Sequence, residues 1–108
     1  MAKRFKIEFS SGSRQDHEGL RPFDRRKVLD AIERKLTFDP NVETRDKKCL
    51  GQEPANFAYE PPLWELKAGE FRAFYEVNDE ESVVYIHAIR RKPASKTTAE
   101  VLNEADGN

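Results

Sequence analysis

The sequence predicts a small α+β domain of order β-α-β-β-β, an antiparallel sheet with an N-terminal strand and a helix packed on one face. Three observations predict it. Residues 3–10 alternate apolar and charged side chains, residues 24–38 repeat apolar side chains at helical spacing, and residues 63–92 read as three strands joined by two tight turns. At 108 residues the chain is one domain, long enough to bury roughly two thirds of its unfolded surface. Its expected core spans about residues 3–92, with 93–108 as a tail.

In the first strand Phe5, Ile7 and Phe9 face one way and Arg4, Lys6 and Glu8 the other, the mark of a strand with one buried face. Ser11-Gly12-Ser13 breaks the alternation, and Arg14 to Gly19 reads as a loop. The helix is expected from Asp24 to about Phe38. Asp24 suits its first turn as an acceptor for orphan amides, and Val28, Leu29, Ile32 and Leu36 form one apolar face. Asp39-Pro40 ends it. One stripe on fifteen residues must pack on the sheet to be stable.

Residues 41–62 read as a long connection. Its first part, Val42 to Leu50, is basic and suits a short helical turn or strand. Its second part, from Gly51, holds Pro54, Pro61 and Pro62 and no periodicity. A loop of that length in a small domain is often functional.

The three-strand stretch organises the rest. Ala68-Gly69 is the expected hairpin turn, with glycine supplying the positive φ. That turn pairs Lys67 with Glu70, Glu65 with Arg72 and Trp64 with Ala73. Trp64, Leu66, Phe71, Ala73, Tyr75 and Val77 then form the core face. Leu63, Glu65, Lys67, Glu70, Arg72, Phe74 and Glu76 form the other face. Asn78 to Glu81 makes the second turn. Residues 82–91 are apolar on both sides, which suits a central strand. Their register is open: an even turn sets His87 opposite Arg72 with Arg91 on that face, and an odd one sets Arg90 and Lys92 there. Pro93 stops the strand, Lys96 to Ala105 reads as a weak terminal helix, and 106–108 should fray.

Hydrophobic residues make up 37% and charged residues 36%, with a net charge of −1 and a pI near 6.1. That balance gives no global reason to expect nucleic acid. The distribution is uneven, however: residues 1–48 hold thirteen Lys/Arg against nine Asp/Glu, residues 49–82 two against eight, and residues 83–99 four against none. A local basic face is compatible with this, as is a plain solvated surface. The single cysteine, Cys49, excludes an internal disulfide and suits a reducing compartment. With neither a signal-peptide pattern nor a run near ~20 apolar residues, the expectation is a cytoplasmic protein with no membrane association.

No glycine-rich phosphate loop, CxxC, HExxH or GxSxG occurs, so neither a cofactor nor a metal is expected. Chemistry rests on the charged face of the meander. Glu65 beside Arg72 is at least a cross-strand ion pair contributing roughly 0.2–1 kcal/mol. Cleavage of RNA by its own 2′-hydroxyl needs a base, an acid and positive charge at the phosphorane. Arg72 offers a fork of donors for that charge, Glu65 a base, and His87 or Lys92 an acid.

The order strand, helix, basic loop and meander, with W-E-L-K-x-G-E-F-R-x-F-Y-x-V followed by Arg90-Arg91-Lys92, resembles the RelE/ParE superfamily of bacterial type II toxins. The likeness covers roughly residues 3–10 and 22–92 and is densest from Trp64 to Val77. It implies a toxin neutralised by a cognate antitoxin, with no cofactor. RelE-like members cut messenger RNA on the ribosome, and ParE-like members act on DNA gyrase. The first activity is expected here, with a non-catalytic protein-binding module as the alternative.

By the same resemblance Arg72 falls on the family's phosphate-contacting arginine. Lys92 falls where RNA-cleaving members place a second arginine, and Arg91 is its adjacent substitute. Lys67, Lys47, Lys48 and Arg90 are expected to bind RNA backbone. The family's two lysines before the hairpin fall on Leu63 and Glu65, and its C-terminal tyrosine falls near Thr98. Some RNA-cleaving relatives use a glutamate as base, the role expected of Glu65.

Overall fold

The computed structural model describes residues 3–104. Five strands form one sheet: β1 (Lys6–Phe9), β2 (Lys47–Gly51), β3 (Leu63–Ala68), β4 (Phe71–Asn78) and β5 (Val83–Arg91). Three helices accompany them: α1 (Ser11–Glu18), α2 (Pro22–Leu36) and α3 (Thr98–Leu102). The sheet order is β1-β5-β4-β3-β2. The expected wholly antiparallel sheet is corrected at one edge, where β1 runs parallel to β5. The chain leaves β1 through two helices before it re-enters the sheet, so β1 can lie beside the last strand in either sense. β5 is thereby central, as its two apolar faces require.

The expected loop at 11–19 is α1. Its N-cap is Ser10, whose Oγ accepts the Ser13 amide at 3.0 Å. The helix takes over the β5 edge where β1 stops. Ser10 Oγ donates to the His87 carbonyl at 3.1 Å, Ser13 Oγ to the Ile86 carbonyl at 2.7 Å, and the Ile89 amide donates to Asp16 Oδ2 at 2.9 Å. The Ile86 carbonyl also accepts the Ser10 amide at 3.0 Å, so the side chains of this turn continue the pairing that β1 begins.

α2 starts and ends two residues earlier than expected. Pro22 opens it because proline lacks the amide that a first turn cannot use. Val28, Ala31, Ile32 and Leu36 are buried against the inner face of the sheet. Lys47, at the start of β2, turns inward: its ammonium donates to the carbonyls of Lys35 at 3.3 Å and Asp39 at 2.7 Å, closing the C-terminal end of α2. Burial pulls its pKa below the usual lysine value.

Lys35 also pairs with Asp46, and chiefly that hydrogen bond holds the Asp46 carboxyl below its usual value. A folded pKa below the unfolded one, about 3.9, stabilises above that pH, and the stabilisation is lost as pH falls through the lower folded value. Asp46→Asn should therefore be about 0.5–1 kcal/mol less stable at pH 6, the range for a partly exposed pair. Urea unfolding of the two proteins should converge toward pH 2. A gap constant with pH would show that the pair contributes nothing.

The β3–β4 turn is Gly69-Glu70, not Ala68-Gly69: Ala68 pairs with Phe71 and Lys67 with Arg72. Gly69 takes φ +62 at the first central position, as a Gly-X hairpin turn demands. The pairing is displaced by two residues from the expected one, and an even displacement keeps every side chain on its face. Trp64, Leu66, Phe71, Ala73 and Tyr75 are buried as expected. Glu65, however, lies opposite Phe74 and only diagonal to Arg72.

Between β4 and β5 the ladder shifts: Phe74 pairs with Ala88 and Tyr75 with Ile86, so His87 is an extra, bulged residue. Toward the strand end Arg72 pairs with Arg90, which places Arg90 rather than His87 across from it.

The charged face is itself a second core. Leu63, Phe74 and Ala88 are buried beneath Val101 and Leu102 of α3, with Leu50, Ala55, Phe57 and Tyr59 packed around them. The segment 51–60, which bends at Asn56 and Phe57, lies over this face with burial alternating residue by residue. The expected terminal helix is confined to 98–102. It opens on a capping box, Thr97 Oγ1 accepting the Glu100 amide at 3.2 Å and Glu100 Oε1 accepting the Thr97 amide at 2.9 Å. The fraying expected of 106–108 lies outside the described residues.

Candidate functional site

Strand alternation sets Lys67, Arg72 and Arg90 side by side across β3, β4 and β5. Lys92 follows two residues after Arg90. One row along, Lys48 pairs with Glu65 and Glu65 with Phe74. Like charges directly opposite on neighbouring strands destabilise a sheet. A row of three bases therefore needs counter-charge or an anion.

The counter-charge at hand is Glu65, 8% exposed, whose Oε2 lies 3.8 Å from Arg72 Nε and accepts Thr98 Oγ1 at 3.2 Å. Arg72 also donates through Nη1 to the carbonyls of Gly69 and Phe71, both at 2.9 Å. The guanidinium is thus fixed by the hairpin turn that precedes it.

Arg90 is held more fully. Its Nη1 donates to the Val101 carbonyl at 2.9 Å and the Leu102 carbonyl at 2.8 Å, and its Nη2 to Asn56 Oδ1 at 2.8 Å. It also sits 5.6 Å from the centroid of the Phe57 ring. His87 stacks on the same ring, centroids 5.4 Å apart and planes 17° off parallel. Its Nε2 lies 2.6 Å from Glu76 Oε1, which also accepts the Glu60 amide at 3.0 Å. Arg72 and Glu76 stand four residues apart on β4, about 13 Å at strand rise, so His87 belongs to a separate cluster from Arg72.

The remaining sequence-predicted residues divide. Arg91 is exposed, pairs with Glu70 and lies over the inner-face ring of Phe71 at 4.8 Å, away from Arg72. Lys92 is half-buried, and its backbone amide donates to the Glu70 carbonyl at 2.7 Å. Lys67 and Lys48 are exposed, whereas Lys47 is the buried cap of α2 described above. The fold thus gathers Glu65, Lys67, Arg72, Arg90 and Lys48 and leaves Arg91 and Lys47 apart. Thr98, Asn56, Phe57 and Glu76 complete the surroundings and were not singled out from the sequence. The capping-box spacing Thr97 to Glu100 was the available signal for α3.

Among the described residues no group of three or more His, Cys, Asp or Glu is placed to hold a metal ion, and no helix is long and apolar enough to cross a membrane.

No family model and no curated protein matches the sequence. Solved structures match the fold. The RelBE2 toxin–antitoxin complex from Mycobacterium tuberculosis aligns with a TM-score of 0.66 at 22% identity, covering 82% of this chain and 92% of that one. The archaeal RelE–RelB complex from Pyrococcus horikoshii aligns at 0.65 and 15% identity, covering 84% and 98%. The isolated E. coli RelE toxin aligns at 0.57 and 17% identity, covering 89% and 93%. With the parallel β1–β5 edge, α2 on the inner face and the three-strand meander in place, the chain has the fold of the RelE toxins.

Proposed function

We propose that the chain is the toxin of a toxin–antitoxin pair and acts as a ribosome-dependent endoribonuclease on messenger RNA. The observation that carries this reading is the row Lys67, Arg72, Arg90 with Glu65 beside it. Adjacent guanidinium groups favour a phosphodiester, whose charge offsets their repulsion. In the proposed reaction Glu65 takes the proton of a 2′-hydroxyl, the 2′-oxygen bonds to phosphorus, and the bond from phosphorus to the 5′-oxygen breaks. Lys92 returns a proton to that leaving oxygen, and Arg72 offsets the charge that builds on the phosphorane. Lys67 and Lys48 hold backbone phosphates without reading sequence. A cognate antitoxin is the natural partner, since two of the structures that share this fold are toxin–antitoxin complexes.

A second reading, a non-catalytic module that binds a protein such as DNA gyrase, draws on one observation. The guanidinium groups of Arg72 and Arg90 are already engaged by the chain's own oxygens. One experiment separates the two: the chain is produced without a partner in growing bacteria and the 5′ ends of translated messages are mapped. New ends within codons, lost when translation initiation is blocked, are expected. Growth arrest with intact messages and altered plasmid supercoiling would replace the first reading by the second.

A further inference from the structure

The segment 51–60 and the end of α3 hold together the two side chains that a nucleotide would need. Phe57 lays a planar ring on the imidazole of His87 and against the guanidinium of Arg90. The same guanidinium is met by three oxygens, the carbonyls of Val101 and Leu102 and the amide oxygen of Asn56. A planar ring on one side and a set of converging oxygens on the other is the chemistry of a nucleobase with its phosphate. Aromatic, imidazole and guanidinium planes stack on bases regardless of base identity, and an arginine fork donates to phosphate oxygens as it does to these.

We propose that His87 and Arg90 form a nucleotide subsite, filled in the unbound chain by the Phe57 ring and by the Asn56 amide oxygen on Arg90 Nη2, and opened when segment 51–60 lifts while Nη1 stays bound to α3. The His87 bulge is what makes the pair: His87 and Arg90 are three residues apart, an odd spacing that shares a face only because the ladder shifts between them. The occupant is also unequally held. Ala55, Phe57 and Tyr59 are only half-buried, whereas Val101 and Leu102 are wholly buried. Segment 51–60 is therefore the part that leaves, and α3 the part that stays. The proposal rests on the RNA-directed reading above and adds to it a place for a base, beside rather than at the reacting phosphate.

The test uses the full chain and a fluorescent single-stranded tetraadenylate, with binding followed by anisotropy. Phe57→Ala should bind at least tenfold more tightly than the unaltered chain, because the competing ring is gone. Adding Arg90→Lys, which keeps the charge and removes the fork, should abolish the gain. Asn56→Ala loosens the segment without touching the apolar core and should give a smaller gain in the same direction, which keeps the test sound if Phe57→Ala fails to fold. A folded Phe57→Ala or Asn56→Ala chain with no tighter binding would overturn the proposal, as would a gain that survives Arg90→Lys. Message cleavage reports separately on the enzyme reading: cleavage with no gain in binding removes only the subsite, and a gain without cleavage removes only the catalysis.

Discussion

Phe74→Ala is expected to lose about 3–5 kcal/mol of stability, the range for emptying a closely packed aromatic position. Phe74 has no exposed surface, although it lies on the face of β4 that also carries Arg72 and Glu76. It is enclosed by Leu63 and Ala88 from the neighbouring strands and by Val101 and Leu102 above. None of these is free to fill the space, since Leu63 and Ala88 are fixed by the ladder and α3 by its capping box and by Arg90. A domain of this size has about 5–15 kcal/mol in total, so the loss is a large share of it. Urea unfolding should show a lowered midpoint with an unchanged slope. A loss below 1 kcal/mol would mean that α3 does not seal this face, and the second core would have to be abandoned.

The position of Phe74 also shows where sequence reasoning succeeds and where it stops. The inner face was legible because strand parity is robust: the hairpin pairing moved by two residues, and Trp64, Leu66, Phe71, Ala73 and Tyr75 stayed inside. The central place of β5 was legible from its two apolar faces. The outer core was signalled by Leu63 and Phe74, large apolar residues interrupting a charged face, and by the alternation Ala55, Phe57, Tyr59. That alternation is short and bounded by Pro54 and Pro61, too weak to outweigh the loop reading. α1 was not legible from periodicity, because the face it turns to β5 works through hydrogen bonds donated by Ser10 and Ser13 and accepted by Asp16 instead of apolar contact. The bulge at His87 carries no glycine to announce it. It sets His87 on the same face as Arg90, three residues on, whereas the register of the ladder itself keeps His87 away from Arg72 and diagonal to Glu76. The closeness of Glu65 and Arg72 was anticipated, but it arises across a diagonal.

Arg72→Ala and Arg72→Lys, taken together, decide whether that closeness is chemistry or support. Arg72 and Glu65 have side chains only 12% and 10% exposed. Removing the guanidinium leaves a nearly buried carboxylate facing Thr98 alone, and breaking such a pair costs about 3–5 kcal/mol. A loss of message cleavage in Arg72→Ala would therefore be ambiguous by itself, since the protein is expected to be destabilised. Arg72→Lys keeps a cation beside Glu65 and spares most of that loss, but a lysine is a point charge without the planar fork. If Arg72 offsets charge on the phosphorane, cleavage should fall by roughly 10²–10³ in Arg72→Lys, the scale for losing one preorganised donor. Its thermal midpoint should meanwhile stay close to that of the unaltered chain. Glu65→Gln should behave in the opposite sense to a mere prop: it keeps the shape and the hydrogen bond from Thr98 but cannot take a proton at neutral pH. Full cleavage by a folded Arg72→Lys chain would reduce Arg72 to a structural tie of the hairpin. Full cleavage by Glu65→Gln would move the base elsewhere on this face.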